Sequence, residues 1–195
     1  ALIEAGISAP GEMEVLERMI QPSIGVFVAF GKAHAENFST QAEHMHEKLT
    51  LFKGVSKTFV QADIAVPTHE FQSIHGQFVD VSDVRSYLKV CPFQDRASLQ
   101  NISLAISVAL ELGIAPNAIL ERVATLPRLA LRMETFDGIQ GNLIINDSYN
   151  LDLDALRQSL EYQLSVANGR KRVAIIAADG LVERQLLAMH QTLDA

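Results

Sequence analysis

At 195 residues with 48% hydrophobic side chains the chain holds enough apolar material for a packed core, and a formal charge of -7 argues against a general binder of nucleic acid or anionic membrane. The single cysteine, Cys91, excludes an internal disulfide and an all-cysteine metal site, and fits a reducing, cytoplasmic setting. No apolar run approaches the roughly 20 residues needed to cross a bilayer, and the N-terminus lacks the basic start and apolar core of a signal peptide.

In chain order, residues 1–4 (ALIE) read as the end of a buried strand, so the sequence begins inside a fold and is expected to be a fragment. A turn over 6–11 precedes a helix predicted over 12–20, with Met13, Leu16, Met19 and Ile20 on one face and Pro22 as the stop. A buried strand is predicted over 24–29, then a loop over 30–39 that carries His34, Glu36 and Asn37. Thr40 and Glu43 have the spacing of a capping box for a helix running to about Phe52. Residues 57–60 and 77–81 read as short strands, with Pro67, Gly76 and Pro92 punctuating the rest. Asp95 caps the longest helix, which runs to about Leu112 before Gly113, and a second, antiparallel helix covers 116–124. Pro127 marks a hinge, because from Met133 the pattern becomes strand, glycine-containing turn, strand, helix and a last core strand over 172–177, closed by Asp179 and Gly180. The alternation predicts an α/β fold with a mostly parallel sheet and flanking helices.

Residues 143–150 (LIINDSYN) carry the densest chemistry: an apolar, β-branched run ends in polar side chains just before a helix. Ligands of α/β proteins sit at the carboxyl ends of strands, so Asp147, Tyr149 and Asn150 stand where a nucleotide could be gripped; the same residues equally suit turn and capping chemistry. Glu4, His34 and Lys48 could converge on one edge of the sheet. Magnesium prefers carboxylate and phosphate oxygens, which makes Glu4 the natural ligand among them. Taken singly, the three also read as a salt-bridged strand end, a loop histidine bonded to backbone and a solvated helix position. His44 and His46, two apart on a helix, cannot face one ion and read as surface residues. Asn101, polar in an apolar helix, suits either reading a base edge or mere exposure. Arg132 suits either phosphate binding or a pair with Glu134. A Gly-x-x-x-x-Gly-Lys-Ser/Thr loop and a Rossmann glycine fingerprint are absent from these residues.

Five segments, EAGISAPGEM from Glu4, GKAHAENF from Gly31, KLTLF from Lys48, PFQDRASLQN from Pro92 and NDSYN from Asn146, occur in the order found in the Mur ligases, and the chain resembles that family over nearly its whole length. The Mur ligases are ATP-dependent amide-bond ligases that build the peptide of bacterial peptidoglycan. The resemblance implies part of a P-loop-type central ATPase domain over 1–131 and the start of a Rossmann-like C-terminal domain over 132–195. It implies ATP and Mg2+, with Glu4 and His34 helping to hold the metal and Lys48 as the lysine the family carries as a carbamate; Lys48 and His34 would be its catalytic residues. Asn101 would contact adenine, Arg132 the phosphates, Asp147 the ribose, and Tyr149 and Asn150 the nucleotide's surroundings. The Asp-Ser-Tyr-Asn variant resembles members that join D-alanyl-D-alanine to UDP-N-acetylmuramoyl-tripeptide, and neighbouring variants look like the form fused to an alanine racemase. No nucleic-acid or membrane partner is implied, and the oligomeric state is not legible. Ala29 stands where the family has Asn, the 52–92 span is shorter than usual, and the N-terminal UDP-binding domain and phosphate loop are not among these residues. Two other readings remain open: a catalytically incomplete binding module of Mur-ligase type, and another such ligase, for folylpolyglutamate or cyanophycin.

Overall fold

The computed structural model describes residues 1–31, 34–62, 64, 68–149 and 153–176. The chain forms two compact units, Ala1–Cys91 with Leu99–Ala124, and Pro92–Ser98 with Thr125–Ala195.

The first unit is built on a three-stranded parallel sheet in the order β1 (Ile24–Phe27), β2 (Lys57–Gln61), β3 (Gly76–Val79). Val26 pairs with Phe59, and Phe59 with Gln77, in continuous register. Alternation along the strands sends side chains to two faces. Phe27 and Val60 join Met45, Leu49 and Phe52 of the α2 region (α2, Gln41–Thr50), while Phe59 and Val79 meet Leu104 of α4 (Arg96–Glu111). Helices therefore cover both faces, which is what a parallel sheet requires. A third cluster joins Val84, beside the short helix α3 (Arg85–Leu88), to Ile106 of α4 and to Ile119 and Val123 of α5 (Pro116–Ala124).

Local chemistry sets the ends of these elements. Helix α1 (Glu12–Ile20) stops at Gln21, whose left-handed backbone lets its N–H reach the Glu17 carbonyl at 2.8 Å just before Pro22. Thr40 Oγ1 caps α2 by accepting from Glu43 N at 3.1 Å, but the Glu43 carboxylate reaches back to Ser39 N at 2.7 Å, one residue before the expected partner. Asp95 accepts from Ser98 N at 2.8 Å and caps α4 as expected, and Gly113, at φ 73°, ends it.

In the second unit β4 (Glu134–Asp137) pairs antiparallel with β5 (Leu143–Asn146), and α6 (Leu153–Val166) follows. Every buried hydrophobic side chain among the described residues belongs to the first unit.

Two expected strands are corrected. Residues 1–4 have no ladder partner among the described residues and leave Leu2 98% exposed. Residues 172–176 are likewise irregular, with Ile175 97% exposed. A strand exists only through neighbours that satisfy its backbone, and among the described residues neither segment meets one. The strand expected over 24–29 ends at Phe27, with Val28 already exposed. Pro67, Ala177, Asp179 and Gly180 lie outside the described residues.

Candidate functional site

In the first unit the N-terminal segment, residues 34–39 and α2 are drawn together. Ile7, Met13 and Phe38 form one buried cluster, and Asn37 Nδ2 donates to the Ser8 carbonyl at 2.8 Å. Glu12 Oε2 accepts from Ser8 N at 2.6 Å and Ala9 N at 2.9 Å, and these backbone bonds hold its carboxyl below the usual value, with a further push from the His34 charge. Glu47 Oε1 on α2 accepts from Met13 N at 2.9 Å. The regions carrying Glu4, His34 and Lys48 are thereby tied to one another, although Glu4 itself is an exposed carboxylate in an irregular segment rather than a strand end.

His34 adopts a left-handed backbone, φ 61° and ψ 12°, and its carbonyl accepts from Asn37 N at 3.1 Å to start a 3-10 turn, Ala35–Asn37. This conformation costs a side-chain-bearing residue on the order of 1 kcal/mol, so the surrounding contacts select it. Lys48 is half-buried near the end of α2, and burial pushes its amine down from its ordinary value, toward the neutral, nucleophilic form.

His44 overturns the expectation of a surface residue. It is 1% exposed, stacked on Phe38 at 4.5 Å between ring centroids and packed against Phe30 at 5.1 Å. Its Nε2 has no hydrogen-bond partner among the described residues, and burial, then the charges of Lys48 and His34, lower its pKa against an opposing effect of Glu36. His44, Met45, Lys48, Leu49 and Phe52 follow a single helical stripe, and that spacing was the sequence signal for a buried histidine. His46 is exposed, as expected.

Asn101 is exposed on α4. The second unit gathers Arg132, Asp147 and Tyr149. The Arg132 guanidinium lies over the Tyr149 ring at 4.0 Å, and Tyr149 N donates to the Leu131 carbonyl at 3.2 Å. The Glu134 carboxylate accepts from Leu131 N at 3.3 Å. Asp147 Oδ1 accepts from Met133 N at 3.1 Å, and its Oδ2 accepts from Ser159 Oγ of α6. Asp147 thus joins the start of β4 to α6, and Leu131 and Met133, both at positive φ, are fixed by these bonds. Asn150 lies outside the described residues. Among the described residues no group of three or more His, Cys, Asp and Glu side chains gathers closely enough to hold a metal ion, and no helix is long and apolar enough to cross a membrane.

Comparison with known proteins gives this geometry a context. Residues 1–85 match the sequence profile of the Mur ligase middle domain. The UDP-N-acetylmuramoyl-tripeptide–D-alanyl-D-alanine ligase of Bacillus subtilis (strain 168) is 22% identical over 200 residues, covering 90% of this chain and 44% of the relative. Among solved structures, MurF from Acinetobacter baumannii superposes with a TM-score of 0.67 at 16% identity, covering 83% of this chain and 42% of that one. A UDP-N-acetylmuramoylalanyl-D-glutamyl-2,6-diaminopimelate–D-alanyl-D-alanyl ligase from the same organism gives 0.60 at 17% identity with the same coverage. The α/β fold is shared with these structures, and the chain spans less than half the length of each relative.

Proposed function

We propose, from the match of residues 1–85 to the Mur ligase middle domain, that this chain is part of an ATP-dependent ligase of peptidoglycan precursor synthesis, one that joins D-alanyl-D-alanine to UDP-N-acetylmuramoyl-tripeptide. The observation that carries the reading is that the similarity to a ligase of that name runs over 90% of the chain, through both compact units rather than the middle-domain segment alone. The ordering of the histidine loop against α2 supports it, because it brings the regions of the candidate residues Glu4, His34 and Lys48 into one part of the first unit.

In this reading the tripeptide's terminal carboxylate attacks the γ-phosphorus of ATP, breaking its bond to the bridging oxygen and releasing ADP, and becomes an acyl phosphate. The amine of D-alanyl-D-alanine then displaces phosphate, losing a proton, to form the amide. Both steps bring anions together, so positioning and charge neutralisation dominate catalysis. The donor set suits magnesium on one condition. Glu4 supplies a carboxylate and His34 an imidazole, whereas the Lys48 amine becomes an oxygen donor only as a carbamate, and its burial favours the uncharged amine from which a carbamate forms. Bound there, magnesium would supply charge neutralisation for phosphate and carboxylate oxygens. Asn101 is assigned to adenine, Arg132 to phosphate, Asp147 to ribose, and Tyr149 and Asn150 to the nucleotide's surroundings. The same reading puts the domain boundary at 131/132, beyond Thr125, where the second compact unit resumes.

The test is product formation by the full-length protein that contains this segment. ADP release should require magnesium, the UDP-linked tripeptide and D-alanyl-D-alanine together, and Lys48→Ala should lower kcat by at least about 100-fold, the scale of a lost transition-state contact. ADP release indifferent to D-alanyl-D-alanine, with another amine or a glutamate chain preferred, would overturn the assignment.

A further inference from the structure

We propose that His44 is a positioning residue for Lys48, its Nε2–H donating a hydrogen bond to an oxygen of the carbamate that Lys48 carries. The inference rests on the ligase reading above, in which Lys48 is carboxylated.

The starting observation is an imidazole held between two aromatic rings, Phe30 and Phe38, at 1% exposure, whose Nε2 has no partner among the described residues. A third phenyl ring would fill that slot with no polar atom to bury. Buried nitrogens are paired in nearly all proteins, because leaving one unpaired forfeits its hydration without replacement. Among the described residues His44 Nε2 has no partner, and a group added later would supply one.

Lys48 is where that group arises. It lies four residues after His44, on the same helical face, and the two side chains interact electrostatically. As an ammonium, Lys48 has donors and no acceptor, so it cannot satisfy an Nε2–H. Carboxylation reverses this. The lone pair of the neutral amine attacks the carbon of dissolved carbon dioxide, a C–N bond forms, one C=O π bond opens onto oxygen, and the surplus amine proton leaves to solvent. The product is a negatively charged acceptor one turn from the orphaned nitrogen. The His34 charge and the Glu36 carboxylate also act on His44, from the loop that Phe30 and Phe38 belong to. A bond from His44 to the carbamate would therefore couple the state of Lys48 to the seating of the loop that bears His34.

The experiment is carbon-13 NMR of the full chain in labelled bicarbonate, comparing the parent with His44→Phe, His44→Gln and Lys48→Arg. The parent should show a carbamate resonance that Lys48→Arg lacks. His44→Phe, which preserves the ring stack, should lower carbamate occupancy at fixed bicarbonate by about tenfold or more, the worth of a hydrogen bond to a charged group, and His44→Gln, which restores an N–H donor, should recover most of it. Equal occupancy in the parent and in a folded His44→Phe overturns the role of His44 and leaves the carbamate standing. A parent without the resonance removes the carbamate itself, and the inference with it. Should His44→Phe fail to fold, nitrogen-15 NMR of the parent decides: the His44 Nε2 signal should move on adding bicarbonate in the parent and not in Lys48→Arg, and a signal that stays fixed overturns the proposal.

Discussion

His44 and Asp147 show how the same residue type carries different meaning once its surroundings are known. The imidazole of His44 has its pKa lowered from 6.5, first by burial and then by nearby positive charge. Between the lowered value and 6.5 the unfolded chain binds more protons than the folded one, so His44 costs stability as pH falls below about 6.5 and costs nothing above it. The melting temperature of the parent should therefore drop more than that of His44→Phe between about pH 7.5 and 5.5, and parallel losses in the two proteins would contradict the burial argument. Asp147 was singled out for ribose, yet both its oxygens are engaged by Met133 N and Ser159 Oγ. Asp147→Ala should lower unfolding free energy by about 1–3 kcal/mol in urea titration, because it strips acceptors from two partly buried donors. An unchanged midpoint would mean that these bonds contribute nothing to the fold and leave Asp147 free for a ligand.

At the scale of elements, sheet and helix obey close-packing that a single methyl group can test. A Cβ at Gly25 of β1 would meet Phe52 Cδ1 at 2.4 Å and Thr58 Oγ1 at 2.8 Å. Gly25→Ala should cost about 1–3 kcal/mol by overpacking, read as a lower midpoint in chemical denaturation. Asp95→Ala removes the side-chain acceptor for Ser98 N and should cost about 1 kcal/mol, visible as the same kind of shift with little change in slope. The elements read correctly from sequence are those with local signals. Helix α1 has its apolar stripe and proline stop, α2 has Thr40, and α4 has Asp95 and Gly113. The strands expected over 1–4 and 172–177 had only composition in their favour. A parallel ladder is a contact between distant segments, and composition does not say whether the neighbour is there.

At the scale of the whole molecule the two units differ in how much apolar surface they bury. Core residues such as Phe59, Val60 and Leu104 are almost wholly enclosed, whereas Phe136 and Ile144 of the β4–β5 hairpin remain exposed. Local opening follows buried contact, so amide hydrogens of β2 should exchange at least about 100-fold more slowly than those of β4 and β5. Comparable protection in both sheets would show that the second unit is stabilised by something other than its own packing. The 195 residues by themselves determined the α/β class, the extents of α1, α4 and α5, and the family resemblance, since all of these are written in short-range order along the chain. Tertiary structure alone decided that residues 1–4 and 172–176 lie outside the described sheets, that His44 is enclosed between Phe30 and Phe38, and that Asp147 joins β4 to α6. Those facts depend on which distant groups meet, and burial, pairing and desolvation come into being only when they do.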